Sequence, residues 1–168
     1  LPRLPGEIGT YLALTGARMN AGDLVALGIA THCAPSARLS EIVDALCEAD
    51  WSGNAAATVN EVLARFAADA GPSELLAQRT IVDRCFAHDR MEDIVAALAA
   101  DGSDFARQTA ATLAAMSPTS LKLTLAQMRS GKGIDLDAAL VMDYRLTHSV
   151  LKHHDFYEGI RAQLIDKD

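Results

Sequence analysis

The sequence predicts a mainly α-helical fold with about eight or nine helices and at most one short strand. Half of the residues are apolar but only 5% are aromatic, and alanine is abundant, a composition that favours a core of aliphatic side chains carried on helices. Apolar residues recur every three or four positions along most of the chain, which places them on one face of an α-helix. Short turns containing Gly, Pro, Ser or Asn separate these periodic segments.

The first two predicted helices are short. Apolar side chains at helical spacing predict one helix from Ile8 to Thr15, with Gly16 as a left-handed stop. Asn20 followed by Asp23 predicts the start of a second helix, because Asn can accept from first-turn amides and an acid suits the positive end of the helix dipole. Gly28 is the predicted end of this second helix.

The segment from Ile29 to Cys33 is the only one with the character of a β-strand. It is apolar and β-branched, and Pro35 closes it. A lone strand leaves its backbone polar groups unpaired, so it needs a partner from elsewhere. This detail indicates that the segment belongs to a larger structure.

Every periodic segment after residue 35 predicts a helix. Each has an apolar stripe of the kind that faces a core, and short turns join the helices. The last helix carries Phe156, Ile160 and Leu164 at intervals of four. Glu158 and Arg161 are positioned to pair across one turn of it. The predicted capping residues are Ser36, Ser73, Asp89, Ser103, Ser117 and Asp135.

Length, charge and cysteine content exclude several classes of protein. A chain of 168 residues is long enough for one domain with one core. A formal charge of −7 argues against nucleic-acid binding, which depends on Lys and Arg neutralising phosphates. No apolar run approaches the roughly 20 residues of a membrane span. Cys33, Cys47 and Cys85 are an odd number without metal-ligand spacing, so they are predicted to be reduced thiols. Reduced thiols are typical of a reducing compartment, and the expected location is therefore the cytoplasm.

The histidines do not predict a metal site. His148 and His153 are five residues apart, and adjacent His153 and His154 point to different faces of a helix. Neither pair has the i, i+4 spacing of a zinc-binding helix. A position at a helix end or on the surface accounts better for these residues and for His32 and His88.

Other reactive patterns also fail to identify an active site. Cys33 and His32 are neighbours on a predicted strand, so their side chains point to opposite faces. Ser117 and Ser120 lie in no GxSxG turn, and helix capping accounts for Ser117. Residues 130–133, Ser-Gly-Lys-Gly, lack the spacing and the preceding strand of a phosphate-binding loop, and predict a turn between helices. Composition favours a solvated face for the acidic cluster Asp155, Glu158, Asp166 and Asp168.

Motifs in a fixed order extend over nearly the whole chain. They are LPRLPG at residues 1–6, YLALTG at 11–16, GIATH at 28–32, MSPTSLK at 116–122, YRL at 144–146 and HDFYEGIRAQLIDKD at 154–168. Together they resemble the C-terminal portion of the 3-hydroxyisobutyryl-CoA hydrolase type within the crotonase (enoyl-CoA hydratase/isomerase) superfamily. Several ordered matches are more specific than any one of them.

The resemblance implies the C-terminal helical part of a crotonase fold. Residues 1–50 would be the tail end of the crotonase core, with two short helices, one strand and one helix, and residues 51–168 a C-terminal helical region. In that family two backbone N–H groups stabilise negative charge on the thioester oxygen, and acidic side chains help water to cleave the acyl–CoA bond. By the resemblance these groups lie upstream of Leu1, so no catalytic residue is expected in this chain, and the chain alone is predicted to be inactive.

Two substrate-binding candidates follow from the resemblance. The C-terminal helix of crotonases often helps to cover CoA, with a Lys near its end close to phosphate, which makes Lys167 a candidate for that contact and Phe156 a candidate packing residue. Gln163 stands where many crotonases carry an aromatic residue, which weakens the case for adenine packing. No cofactor is expected, since CoA is part of the substrate.

The leading interpretation is a C-terminal fragment of an acyl-CoA thioester hydrolase in valine breakdown. Its expected partners are the acyl-CoA substrate and a missing N-terminal crotonase core, not nucleic acid or a membrane, and a homo-oligomer stays open. One alternative is a fragment of an enoyl-CoA hydratase or isomerase, which differs in residues outside this chain. Another is a non-catalytic helical module for interaction or oligomerisation, which the apolar stripe on every helix favours.

Overall fold

A computed structural model describes residues 1–167 and confirms that the chain is mainly α-helical. The described residues form eleven α-helices, a 3₁₀ turn and a π-helical segment. In chain order these are α1 (Ile8–Thr15), α2 (Ala21–Ala26), the 3₁₀ turn (Ser36–Arg38), α3 (Leu39–Cys47), α4 (Ala55–Ala64), α5 (Glu74–Ala77), α6 (Arg79–Cys85), α7 (Met91–Asp101), α8 (Asp104–Ala114), α9 (Pro118–Gly131), α10 (Leu136–Val150), α11 (His154–Ile160) and the π-helical segment (Arg161–Asp166).

The number of helices exceeds the predicted eight or nine. One reason is that the helix predicted from Ser73 is divided at Gln78 into α5 and α6. The side chain of Ser73 does accept from the Leu76 amide at 3.1 Å, as a cap would. Periodicity could not show the break, because apolar residues continue on both sides of Gln78.

The described residues contain no strand, which agrees with the expected limit of at most one, and the segment from Ile29 to Cys33 is irregular. The amides of Ile29 and Ala30 both donate to the carbonyl of Leu24, at 2.9 and 3.0 Å, and so close the end of α2. The Cys33 carbonyl accepts from the amide of Ala68 at 2.8 Å. A β-strand needs a repeating series of hydrogen bonds to a neighbouring strand. This segment makes only one such bond to another part of the described chain, so its backbone is irregular.

Local capping signals were mostly correct. Asn20 and Asp23 form a reciprocal capping box at the start of α2. Ser103, Ser117 and Asp135 each accept from a first-turn amide of α8, α9 and α10 respectively.

Two predicted caps are wrong. Ser36 begins the 3₁₀ turn instead of capping an α-helix. Asp89 does not cap α7, which follows Arg90 without a side-chain cap. The carboxylate of Asp89 instead accepts from Nε of Arg129 at 2.9 Å.

The chain divides into two compact units, one of which contains Leu1–Arg18 and Gln78–Asp168. Within it α1 packs on α6, α8 and α9, and α7 packs on α6, α8 and α9. The ring of Tyr11 meets Phe86 edge-on at 5.5 Å. The core is aliphatic, as predicted, with Phe86 its largest fully buried side chain.

The other unit is Met19–Ala77. In it α3 packs on α4 around a small cluster formed by Ile42, Val62 and Phe66. The Arg38 guanidinium lies 4.5 Å from the centre of the Phe66 ring. The predicted division into residues 1–50 and 51–168 refers to the parts of a longer enzyme and stays a prediction.

Candidate functional site

Phe156, a predicted substrate-binding residue, lies in α11 and lines a groove between α9, α10 and α11. Its side chain is exposed, and its ring meets that of Tyr157 edge-on at 5.5 Å. The groove has a volume of about 390 Å³. A few polar groups among apolar walls are typical of sites for small organic ligands. The other lining residues are Ser120, Leu123, Thr124, Gln127, Asp143, Leu146, Thr147, Val150 and Leu151.

Lys167, the second candidate, ends the π-helical segment. Its backbone is left-handed (φ 58°, ψ 41°), and its amide donates to the carbonyl of Ala162. The side chain is exposed and forms no ion pair or side-chain hydrogen bond with the other described residues. Within residues 1–167, therefore, its ammonium group is accessible to an anionic ligand.

The acidic residues of the C-terminal segment have local partners. The hydroxyl of Ser117 donates to Asp155, which ties the start of α11 to the start of α9. Glu158 and Asp166 both pair with Arg161. Hydrogen bonds from Arg161 lower the pKa of Glu158, so it stays ionised at neutral pH. These contacts give the three acids a structural role; Asp168, the fourth acid, lies outside the described residues.

The remaining sequence candidates do not form a catalytic site. The described residues include no group of three His, Cys, Asp or Glu side chains that could hold a metal ion. Burial raises the pKa of the Cys85 thiol, so this cysteine is protonated at neutral pH and a poor nucleophile. His32 forms a hydrogen bond with the hydroxyl of neighbouring Thr31. Lys132, in the Ser-Gly-Lys-Gly turn, pairs with Glu7 at 2.9 Å.

Arg129 forms a polar cluster that the sequence did not reveal. Its guanidinium donates to the Glu7 carboxylate at 2.6 Å and to the carbonyls of Phe86 and His88 at 2.6 and 2.7 Å. Asp89 accepts from the same guanidinium. In sequence Arg129 is an ordinary cation in the last turn of a helix, with no local sign of these partners. The donors are occupied by protein groups, so the cluster holds the fold together and offers no site for a ligand.

Asp23 is a second buried polar centre, in the unit Met19–Ala77. It is 3% exposed. Its Oδ1 accepts from the Ser73 hydroxyl at 2.7 Å and from the Leu75 amide at 2.9 Å. Its Oδ2 accepts from the Asn20 amide. Burial alone would raise the pKa of Asp23, but the hydrogen bonds outweigh burial and lower it. The sequence showed the capping box but not the bonds to Ser73 and Leu75.

No helix in residues 1–167 combines the length and the apolar character that crossing a bilayer requires.

Comparisons with known proteins match the whole chain. A family model described as Enoyl-CoA hydratase/isomerase matches residues 1–168. The chain is 40% identical over 171 residues to "3-hydroxyisobutyryl-CoA hydrolase, mitochondrial" of Xenopus laevis, and 41% and 38% identical to proteins of the same name from Gallus gallus and Homo sapiens. Each match covers all of this chain and 44% of the relative. The chain therefore spans less than half the length of these relatives.

Two solved structures are similar over almost the entire chain. A carnitinyl-CoA dehydratase from Mycobacterium thermoresistibile superposes with a TM-score of 0.86 at 35% identity, covering 98% of this chain and 46% of that protein. An enoyl-CoA hydratase from Rhodobacter sphaeroides 2.4.1 superposes with a TM-score of 0.80 at 33% identity, covering 99% of this chain and 46% of that protein.

The predicted cytoplasmic location is wrong. The relatives are named as mitochondrial proteins, which points to a mitochondrial location instead. Cysteines without disulfide or metal spacing fit any reducing compartment, so they could not single out the cytoplasm.

Proposed function

Since the chain belongs to the enoyl-CoA hydratase/isomerase family, we propose that it forms part of an acyl-CoA thioester hydrolase that acts on 3-hydroxyisobutyryl-CoA. The observation that carries this proposal is an identity of 37–41% over the whole chain to proteins named for that activity. Hydrolysis of this thioester fits valine degradation. The solved structures support the same fold family.

Thioester hydrolysis needs hydrogen-bond donors aimed at the developing oxyanion and an acid or base that manages the protons of the attacking water. Among the described residues, the acids of the C-terminal segment are held by Ser117 and Arg161. The Arg129 donors are likewise occupied. We therefore assign the oxyanion donors and the catalytic acids to a part of the protein outside these 168 residues, which makes this chain alone inactive.

The chain is further proposed to be the C-terminal part of that enzyme. The likeness of residues 154–168 to the closing signature of the hydrolases motivates this placement, and the comparisons give it no support. The reading frame around the chain tests it. We expect a long coding region upstream that contains a glycine-rich loop and two acidic residues. A coding region that instead extends mainly downstream contradicts the placement.

Within this chain, Phe156 and Lys167 are proposed to contact the CoA part of the substrate. Phe156 supplies an aromatic surface in a groove with apolar walls, and Lys167 supplies an accessible cation for a phosphate group. CoA enters as part of the substrate, and no other cofactor is proposed.

A second candidate reaction is the hydration of an enoyl-CoA, which the names of the two similar solved structures favour. An assay of a protein that carries this chain separates the two. With 3-hydroxyisobutyryl-CoA, hydrolysis releases one CoA thiol per turnover, which a thiol reagent detects. Hydration of an enoyl-CoA consumes the conjugated double bond and releases no thiol. Hydration without thiol release from either substrate rejects the hydrolase proposal in favour of the alternative.

A further inference from the structure

Helix α11 depends on other elements for its position. It is seven residues long, and within residues 1–167 none of its side chains is buried. Helices shorter than about 12 residues are marginal in water on their own, so packing and hydrogen bonds have to fix α11 in place. One such hydrogen bond, from the Tyr157 hydroxyl to the carbonyl of Leu151 at 2.9 Å, is local to the turn that precedes the helix.

The hydrogen bond from Ser117 to Asp155 reaches much further along the chain. The two residues are 38 positions apart, and the bond joins the first turn of α11 to the start of α9. The Ser117 hydroxyl also accepts from the Ser120 amide at 3.2 Å, as the cap of α9. Because a hydroxyl group has one proton and two acceptor lone pairs, it can make both bonds at once. The cap of α9 is therefore also the anchor of α11.

Ser117 stands at the head of the groove between α9, α10 and α11. Ser120 and Thr124 line that groove from α9, and Ser117 precedes Ser120 by three residues, which places it at the end of the same helix face. Asp155 is the immediate neighbour of Phe156, the aromatic residue that α11 contributes to the groove. The hydrogen bond thus fixes the helix turn that carries Phe156.

We propose that Ser117 and Asp155 are positioning residues, whose hydrogen bond holds Phe156 at the groove before any ligand binds. This role rests on the proposed function, in which Phe156 contacts the CoA part of the substrate. If α11 were free to leave the groove, the apparent affinity for the substrate would fall in proportion to the fraction of molecules with α11 in place. The hydrogen bond prevents this loss, because the aromatic surface is formed in advance.

Ser117→Asp separates the positioning role from helix capping. Asp caps a helix about as well as Ser, so α9 should stay intact. An ionised Asp side chain has no proton to donate and repels Asp155, so α11 should open more often. Hydrogen exchange of the α11 amides, measured without ligand, should become about tenfold faster through the loss of one hydrogen bond to a charged group. Asn54→Asp is the control, because it adds the same charge to the cap of α4, in the other compact unit.

A second substitution restores the bond with donor and acceptor exchanged. Asp155→Asn, added to Ser117→Asp, supplies an amide N–H that can donate to the introduced carboxylate. The double variant should therefore recover most of the wild-type protection of the α11 amides. Exchange in Ser117→Asp that is no faster than in Asn54→Asp, or a double variant that recovers no protection, overturns the proposal.

Steady-state kinetics of a protein that carries this chain tests the link to the substrate. Ser117→Asp should raise KM for the acyl-CoA substrate about three- to tenfold with kcat little changed, since an interaction with CoA away from the thioester affects bound substrate and transition state alike. The double variant should restore KM. If the α11 amides exchange faster while KM is unchanged, the hydrogen bond holds the helix but does not position Phe156 for the substrate, and the proposal is wrong. If the protein proves to hydrate an enoyl-CoA, the proposed function fails, while the same KM comparison made with that substrate still decides this role.

Discussion

Arg129 and Glu7 are 122 positions apart in the sequence, and their side chains form an ion pair of 2.6 Å. The same guanidinium holds the carbonyls of Phe86 and His88. Arg129 thus joins α1, α9 and the turn between α6 and α7 at one point. Both partners of the ion pair are largely buried, with side chains 20% and 15% exposed, so solvent screens the pair only in part.

Arg129→Met should destabilise the chain by about 2–4 kcal/mol, because it removes one of the three side-chain donors of the Glu7 carboxylate and the guanidinium that holds the carbonyls of Phe86 and His88. Urea unfolding measures the loss. Arg107→Met is the control: the pair of Arg107 with Asp104 is exposed, and losing such a pair costs less than about 1 kcal/mol. If both variants lose the same free energy of unfolding, the Arg129 cluster contributes no more stability than an exposed ion pair.

The stability contributed by Glu7 should depend on pH. Burial alone would raise the pKa of Glu7, but hydrogen bonds from Lys132, Thr10 and Arg129 outweigh burial and hold it below the ordinary value of 4.5. A lowered pKa in the folded state stabilises the fold above pH 4.5, and this contribution is lost as the pH falls through the lower folded value. Acid should therefore weaken the wild-type chain through this residue.

Glu7→Gln provides the measurement. Its unfolding free energy should lie below that of the wild type at pH 7, and the gap should narrow as the pH falls below 4.5, by at most about 1.4 kcal/mol per pH unit. A gap that stays constant over this range would mean that ionisation of Glu7 does not contribute to stability.

Gly22→Ala should destabilise the unit Met19–Ala77, although Ala usually favours a helix over Gly by about 1 kcal/mol. A Cβ atom at Gly22 would clash with the backbone carbonyl oxygens of Pro72 and Gly71. Because both contacts are backbone atoms, the chain must shift, at a cost of about 1–3 kcal/mol.

Gly159→Ala is the matched control for Gly22→Ala. Gly159 also lies within a helix, and a Cβ atom there meets nothing within 4 Å. Calorimetry should show a lower melting temperature for Gly22→Ala and an unchanged or higher one for Gly159→Ala. A Gly22→Ala chain as stable as the wild type would mean that the close approach of residues 71 and 72 is not maintained.

Sequence patterns predicted the parts of this fold that depend on neighbouring residues. Periodicity located α1 and α10, and local chemistry identified the caps Asn20, Ser103 and Ser117, because all the atoms involved lie within one or two turns. The segment Ile29–Cys33 has the composition of a strand but forms none here, since strand formation depends on a partner that the described residues do not supply.

Polar contacts between residues far apart in the sequence could not be predicted either. Asp89 has the spacing of a capping box, yet it pairs with Arg129, 40 residues away. Nothing near either residue in the sequence signals that contact. The substrate-binding candidates were reached by a different route, from motifs that resemble a family. For this reason Phe156 and Lys167 stay predictions, and a ligand-binding measurement has to decide them.

Lys167→Gln should raise KM for the acyl-CoA substrate about three- to tenfold in a protein that carries this chain, with kcat little changed. An exposed charge pair with a phosphate contributes about 1 kcal/mol, and because the contact is remote from the thioester it affects bound substrate and transition state alike. The effect should shrink as salt is added, since the Debye length falls to about 3 Å at 1 M. Lys122→Gln is the control, because Lys122 is an exposed lysine that pairs with Glu92. An equal rise in KM for both variants, or a rise that salt does not change, would argue that Lys167 does not contact the CoA phosphates.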